Sequence, residues 1–292
     1  MYTMMKTYHD TYLSHFVLFF ISGLLTGLGV GGNTLSLAAF NLKVFGDTKY
    51  TTKPMANHVY VDQTLRHDVM LLQEIRDKDA SSIHSLFTQV KDVDPVYEMD
   101  LSERMGRTSS KEQYAYIYRS NKLELLDSYA YPDPLDIFER EPYIALFETA
   151  AENFRFAMIG LHAKADSKLT FGEIDALYLV AETVKMDLNV EDIIIIGDLN
   201  ADCSYLSNAK KAKLSLVQDT SYKWAIGDNE DTTVKQSTNC AYDRIIYTGD
   251  TLREAFERKG IVNLEEEYNL EEAQVAKISD HYPVYAVFNI NK

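Results

Sequence analysis

The chain has 292 residues, 46% of them hydrophobic, which is enough to bury a sizeable core and excludes wholesale disorder. With 44 acidic against 29 basic residues the net charge is −15, which excludes the sequence-blind grip of a broadly basic nucleic-acid binder. An acidic chain can still act on a polyanion where a bound divalent cation and a few local arginines reverse the field inside one cleft.

In chain order, the first distinct element is the uncharged run Phe16 to Gly32, FVLFFISGLLTGLGVGG, which closes on small residues. It reads as the core of a secretory signal peptide over residues 1–32, cleaved near Gly31 or Gly32. Lys6 is offset by Asp10, so the leader's basic start is weak; an uncleaved anchor is the competing reading, at the short end for a span. The remainder, residues 33–292, has no repeat, low-complexity tract or long linker, and one domain is expected. Strands are expected over Leu35–Phe45, Val69–Gln73, Tyr114–Tyr118, Ile144–Phe147, Phe156–Leu161, Ile193–Ile196, Ile245–Tyr247 and Val284–Ile290. Helices are expected near 54–67, 80–91 and 172–187. Strands that partly alternate with helices imply an α/β fold whose sheets are partly parallel and partly antiparallel. The chain closes on FNINK, with no apolar tail for a lipid anchor, and it contains no Asn-x-Ser/Thr acceptor.

Polar residues at the strand ends carry the chemistry. Asn41 sits in LAAFNLKVF, Glu74 ends VMLLQEIR, His162 ends FAMIGLHAK, and Asp198 and Asn200 end IIIIGDLNAD. Asp243 precedes IIYT, and Ser279-Asp280-His281 precedes VYAVF. One polar residue at a strand end is by default a turn former. Repeated coincidences drawn from Asn, Asp, Glu and His point to a shared site at the strand ends. Of 7 histidines, His162 and His281 combine a strand edge with nearby carboxylates, whereas His58, His67 and His84 read as surface or capping residues. Two histidines among hard oxygen donors suit acid–base chemistry beside Mg²⁺ or Ca²⁺, not a histidine-rich zinc site. The 2 cysteines, Cys203 and Cys240, are expected to bridge in an exported chain; two buried free thiols are the alternative.

Taken together, LAAFNLKVFG, LLQEIRD, GLHAKA, GDLNADCSY, STNCAYDRI and ISDHYPV resemble the deoxyribonuclease I family. The resemblance runs from about Leu35 to Ile290. GDLN or SDHYPV alone marks the wider endonuclease/exonuclease/phosphatase superfamily; GDLNADCSY with TNCAYDRI carries the nuclease branch's cysteine pair. The resemblance implies a four-layer sandwich, two packed mixed β-sheets flanked by helices. It implies a secreted, monomeric endonuclease that hydrolyses phosphodiester bonds of DNA with little sequence specificity, leaving 5′-phosphate ends. Mg²⁺ and Ca²⁺ are the implied cofactors, with Mn²⁺ as a substitute.

Residue by residue, the resemblance implies that Glu74, Asn41 and Asp280 hold or orient the metal. His281 pairs with Asp243 and His162 with Glu112, while Asp198, Asn200 and Asp280 complete the pocket. Contacts to DNA, duplex and also single strands, fall to Lys43, Arg76, Arg107, Arg140 and Tyr205; ion pairing with neighbouring acids is the competing reading for Arg76 and Arg140. Structural Ca²⁺ maps to Asp231 and Thr233, and to Asp133, Asp136, Phe138 and Glu141. The chain departs from the family at Ser110, where the pancreatic enzyme has an aromatic minor-groove wedge. It departs again around Tyr131-Pro-Asp-Pro, where the small cysteine loop is missing and the second calcium set is shortened. Two other functions compete: a phosphodiesterase of the same superfamily acting on lipid or small phosphate esters, and a silent binder such as an actin-binding relative. No exposed apolar hairpin supports the lipid reading, and the full set of expected catalytic residues opposes the silent one. On actin the sequence says nothing.

Overall fold

A computed structural model describes residues 34–108 and 110–290; the expected signal segment lies outside the described residues. The period-2 alternation of the strands sorts their side chains into three apolar layers. In Thr34–Phe45 (β1), Leu35, Leu37 and Ala39 point into a central core, while Ala38 and Phe40 point to an outer one. The central core is filled from both sheets, by Leu71, Tyr116 and Phe288 on one side and Phe147, Met158 and Ile196 on the other.

The first sheet contains β1, Val69–Ile75 (β2), Tyr97–Leu101 (β3), Gln113–Arg119 (β4), Phe256–Ile261 (β11) and Val284–Asn289 (β12), in the order β11-β12-β1-β2-β4-β3. The second contains Leu123–Ala130 (β5), Tyr143–Thr149 (β6), Arg155–Gly160 (β7), Ile193–Asp198 (β8), Lys223–Trp224 (β9) and Asp243–Thr248 (β10), in the order β5-β6-β7-β8-β10-β9. Only β1–β2 and β7–β8 pair in parallel among these neighbours. Asp47–Thr52 (α1), Pro54–Leu65 (α2), Ser81–Val93 (α3) and Glu272–Ile278 (α5) flank the first sheet. From them Val59, Tyr60, Ile83, Leu86, Val275 and Ile278 enter its outer core. Thr170–Leu188 (α4) covers the second sheet through Ile174, Leu177, Ala181 and Val184. The expected four-layer α/β sandwich is the fold.

Every strand expected from sequence is present, and the strands that went unexpected are β3, β5, β9 and β11. These are the four sheet edges. An edge strand has one solvated face and charged residues along it, as in FERKGI of β11, so its hydrophobic alternation is weak. Cys203 and Cys240 form a disulfide across a separation of 37 residues, which stabilises by roughly 3–4 kcal/mol in the chain-entropy model.

Candidate active site

The parallel pairs end, and the antiparallel strands β10 and β12 begin, at one edge of the sandwich. Strand register does the assembling: Asp243 lies opposite Asp198, and Asn41 opposite Gln73. Gln73 crosses between the sheets, its amide donating to Leu161 O (2.8 Å) and its Oε1 accepting from Asp198 N (2.9 Å). That crossing requires Gly197, at φ +133; a Cβ there would sit 2.4 Å from Leu161 O and 2.6 Å from the Gln73 amide nitrogen.

The backbone at this edge is bent against its preference. Register shifts interrupt β1 between Asn41 and Phe45 and β2 between Leu72 and Ile75. Lys43, Val44, Glu74 and Asn200 all adopt left-handed φ of 49–59°. A β-branched residue such as Val44 resists that region, so surrounding contacts must hold it. The site's own side chains do so. Asn41 Oδ1 accepts from Lys43 N (2.8 Å), and Glu74 Oε2 accepts from Val44 N (2.7 Å).

Asn41 Nδ2 donates to Glu74 Oε1 (3.1 Å) and to Asp198 Oδ2 (3.0 Å). The same Asp198 oxygen lies 3.4 Å from His162 Nε2 and 3.5 Å from His281 Nε2. Each histidine is fixed from behind: His162 Nδ1 contacts Glu112 Oε2 at 2.8 Å, and His281 Nδ1 contacts Asp243 Oδ2 at 2.7 Å. Both Nδ1 atoms therefore carry the proton when the ring is neutral, and both Nε2 atoms face one point. Asn200 N donates to Asp198 Oδ1 (3.0 Å) and Asn200 Nδ2 to Ala163 O (3.0 Å), which completes the floor. Asp280 stands apart at the rim, half exposed, with Lys43 Nζ 3.4 Å away.

Burial alone would depress the His281 imidazolium, but the Asp243 and Asp198 carboxylates outweigh it and push its pKa up to about 10. At His162, burial and Arg140 pull down while Glu112 and Asp198 pull up, and the net direction is upward. Burial pushes the Asp243 carboxyl up and Asp198 adds to it. For Glu112, burial acts upward but His162 and Arg140 override it and hold the carboxyl low. Asp243 Oδ1 is buried with no hydrogen-bond partner among the described residues, and Asp198, Asp243 and His281 offer ligand atoms within 4.8 Å of one another. Beside them, Glu74 Oε1 and Asp198 Oδ2 are gathered on Asn41 Nδ2, and such hard carboxylate oxygens are the donors a small divalent cation takes.

A family model for the Endonuclease/Exonuclease/phosphatase family matches residues 38–281. Deoxyribonuclease-1 of Equus caballus is 38% identical over 270 residues, covering 89% of this chain and 94% of that protein. The chain belongs to the deoxyribonuclease I family. Deoxyribonuclease-1-like 2 of Mus musculus is 37% identical over 266 residues, with 89% and 94% covered. An endonuclease/exonuclease/phosphatase family protein from Bacteroides thetaiotaomicron shares the fold at a TM-score of 0.62 and 15% identity, with 88% of this chain and 99% of that one covered.

The cations that the deoxyribonuclease I resemblance aims at DNA differ in placement. Arg76 makes no ion pair among the described residues. Arg140 is 7% exposed and turned inward, with Nη1 3.3 Å from Glu112 Oε1 and Nε donating to His162 O (2.9 Å). Arg107 is tied to Asp136 Oδ1 at 2.9 Å and to the Asp136 carbonyl. Tyr205 stacks obliquely on Tyr242 at 5.3 Å, and Tyr242 lies 6.2 Å from the His281 ring. Ser110 is exposed.

Of the two calcium sets, Asp231 and Thr233 are together: Asp231 Oδ1 accepts from Thr233 N (2.9 Å), Thr233 Oγ1 (2.6 Å) and Cys240 N (3.2 Å). The second set is engaged within the protein. Asp133 Oδ2 caps Phe138 N at 2.9 Å, the Asp136 carboxylate faces Arg107, and Asp133, Asp136 and Glu141 form no acidic cluster among the described residues. Sequence reasoning also misplaced His67, which is buried with Nδ1 2.8 Å from Ser36 Oγ. It missed Gln73 as a crossbar and Tyr114, whose hydroxyl accepts from His162 N (2.9 Å), and it gave no separate role to Ser279, whose Oγ donates to Asn41 O (2.7 Å).

Proposed function

We propose that this deoxyribonuclease I family member, a DNA-hydrolysing enzyme, is a secreted, divalent-metal-dependent endonuclease of little sequence specificity that leaves 5′-phosphate ends. The observation that carries the reading is the pair of histidine Nε2 atoms that converge on one oxygen of Asp198, each ring fixed by its own carboxylate. Hydrolysis of a phosphodiester needs a proton taken from water and a proton given to the leaving oxygen. His162 and His281 supply one each, from opposite sides of the bound phosphate. Glu112 and Asp243 hold the tautomer and stabilise the imidazolium that forms. Glu74 and Asn41, with Asp280 at the rim, would hold Mg²⁺, which would supply positive charge against the phosphate oxygens. Arg76, Lys43 and Tyr205 meet the DNA strand; Arg107 joins them only on leaving Asp136, and Arg140 orients Glu112 and His162. Ca²⁺ at Asp231 and Thr233 braces the segment beside the disulfide, and the disulfide itself suits an oxidising compartment.

The test is plasmid nicking by the purified protein with Mg²⁺ and Ca²⁺, against a chelator control and against a small phosphodiester. Metal-dependent conversion of supercoiled to nicked plasmid is expected. Hydrolysis of the small ester with the plasmid left intact would move the assignment to another phosphodiesterase of the superfamily.

A further inference from the structure

One side chain ties together the left-handed bulge after Asn41 and the segment that leads into His281. Lys49, in α1, reaches its Nζ to the carbonyl oxygens of Leu42 (2.5 Å), Lys43 (2.8 Å) and Ile278 (2.5 Å). An ammonium has three donors and no acceptor, so three carbonyls satisfy it completely. Leu42 and Lys43 belong to the left-handed bulge that follows Asn41, and Ile278 immediately precedes Ser279-Asp280-His281. The fully buried Tyr60 adds to the same knot: its hydroxyl donates to Ile278 O (2.5 Å) with Leu42 O 3.2 Å away, and its ring centroid lies 5.7 Å from Lys49 Nζ. The Ser279 hydroxyl closes the circuit, donating to Asn41 O and accepting from His281 N at 3.0 Å.

We infer that Lys49 is a positioning residue for hydrolysis: its ammonium clamps the Asn41–Val44 bulge to the segment bearing His281, setting the metal-holding side chains and the imidazole at a fixed spacing. The inference rests on the proposed nuclease reading for its kinetic consequence, but not for its geometry. Lys49 touches neither substrate nor the reacting atoms. Its sequence context, FGDTKYTT, gives no sign of the role, because a lysine in an exposed-looking helical turn is by default a solvated charge.

The experiment uses the full-length protein with Lys49→Met and Tyr60→Phe, each read two ways. Plasmid-nicking kinetics should show kcat lowered by about 10²-fold for Lys49→Met with KM nearly unchanged, as expected when reacting groups are misplaced rather than binding lost. Separately, amide hydrogen exchange is followed by NMR in the metal-free protein. The Lys43 and Val44 amides, held by Asn41 Oδ1 and Glu74 Oε2, and the His281 amide, held by Ser279 Oγ, should exchange at least about tenfold faster in Lys49→Met, while amides of the second sheet keep their rates. Tyr60→Phe should move kcat and the exchange rates in the same directions by less. Should Lys49→Met not fold, Tyr60→Phe decides alone. A normal kcat in folded variants, a rise confined to KM, or unchanged exchange at these amides overturns the inference. If the wild type fails to nick DNA, the exchange still tests the clamp, so the two failures are distinguishable.

Discussion

At 2.7 Å and 2.8 Å the His281–Asp243 and His162–Glu112 contacts are alike, yet the surroundings of the two carboxylates differ. Glu112 is neutralised from behind by Arg140, which also donates to the His162 carbonyl; Asp243 has a buried Oδ1 without a hydrogen-bond partner among the described residues. In the first pair the guanidinium shares the carboxylate's charge and works against the imidazolium. In the second, the imidazolium is left as the near partner of an otherwise uncompensated carboxylate, and His281 climbs to about 10 while His162 rises against the opposition of Arg140. The lesson is that one short hydrogen bond does not set a histidine's proton affinity; the next charge outward does.

The largest expected effect tests whether the two pairs are equally necessary. Replacing His162 or His281 with alanine should lower turnover by at least ~10²-fold in a protein that still folds, measured by plasmid nicking and circular dichroism. Near-normal cleavage by a folded His281→Ala protein would remove this histidine from the reaction.

The next experiment sharpens the contrast between the carboxylates. Asp243→Asn should drop the His281 midpoint in the metal-free protein further than Glu112→Gln drops that of His162, and Arg140→Met should raise the His162 midpoint. All three are read by NMR titration, and equal shifts in both pairs would sink the account. The sign for stability comes from linkage. His281 has a folded-state pKa above its unfolded value, so the contribution of its pair is fully present below pH of about 6.5 and is lost as pH rises toward about 10. Asp243→Asn should flatten that alkaline loss in denaturant unfolding of the metal-free protein.

A smaller effect concerns charges that are paired and charges that are not. Arg76 lacks an ion-pair partner among the described residues, whereas Arg107 already faces Asp136. Arg76→Ala should reduce the salt slope of DNA binding by about one contact, and Arg107→Ala by clearly less. Binding of a catalytically silent variant across a salt series measures both, and an equal loss for the two arginines would mean that Arg107 leaves Asp136 for phosphate.

The last experiment uses a histidine without any carboxylate pair. Burial, aided by Arg66, drives His67 down to about 3, so its folded-state pKa lies below the unfolded value. Stability from this residue is present above pH of about 6.5 and is lost as pH falls toward about 3, at no more than about 1.4 kcal/mol per pH unit. His67→Gln should flatten the acid limb of a stability profile while leaving the alkaline limb to His281. A steeper acid limb in the variant contradicts the assignment.

Much of the molecule is legible in the sequence alone, for identifiable reasons. Strands buried on both faces, such as Ile193–Ile196, leave a local apolar signature that needs no tertiary context, and so do the polar residues that end them. The motifs around Asn41, Glu74, His162, Asp198, Asp243 and His281 point to the family without any knowledge of contacts, because short segments carry most of the site. The features that sequence could not supply depend on distance along the chain. The edge strands β3, β5, β9 and β11 are strands because a neighbour pairs with them, not because of their own pattern. Whether Arg140 faces solvent or Glu112, and Arg107 phosphate or Asp136, turns on contacts between residues 28 and 29 positions apart. The role of Lys49 turns on a contact 229 positions away. Chemistry at strand ends is written locally; the partners that set charge, burial and spacing exist only once the two sheets are packed.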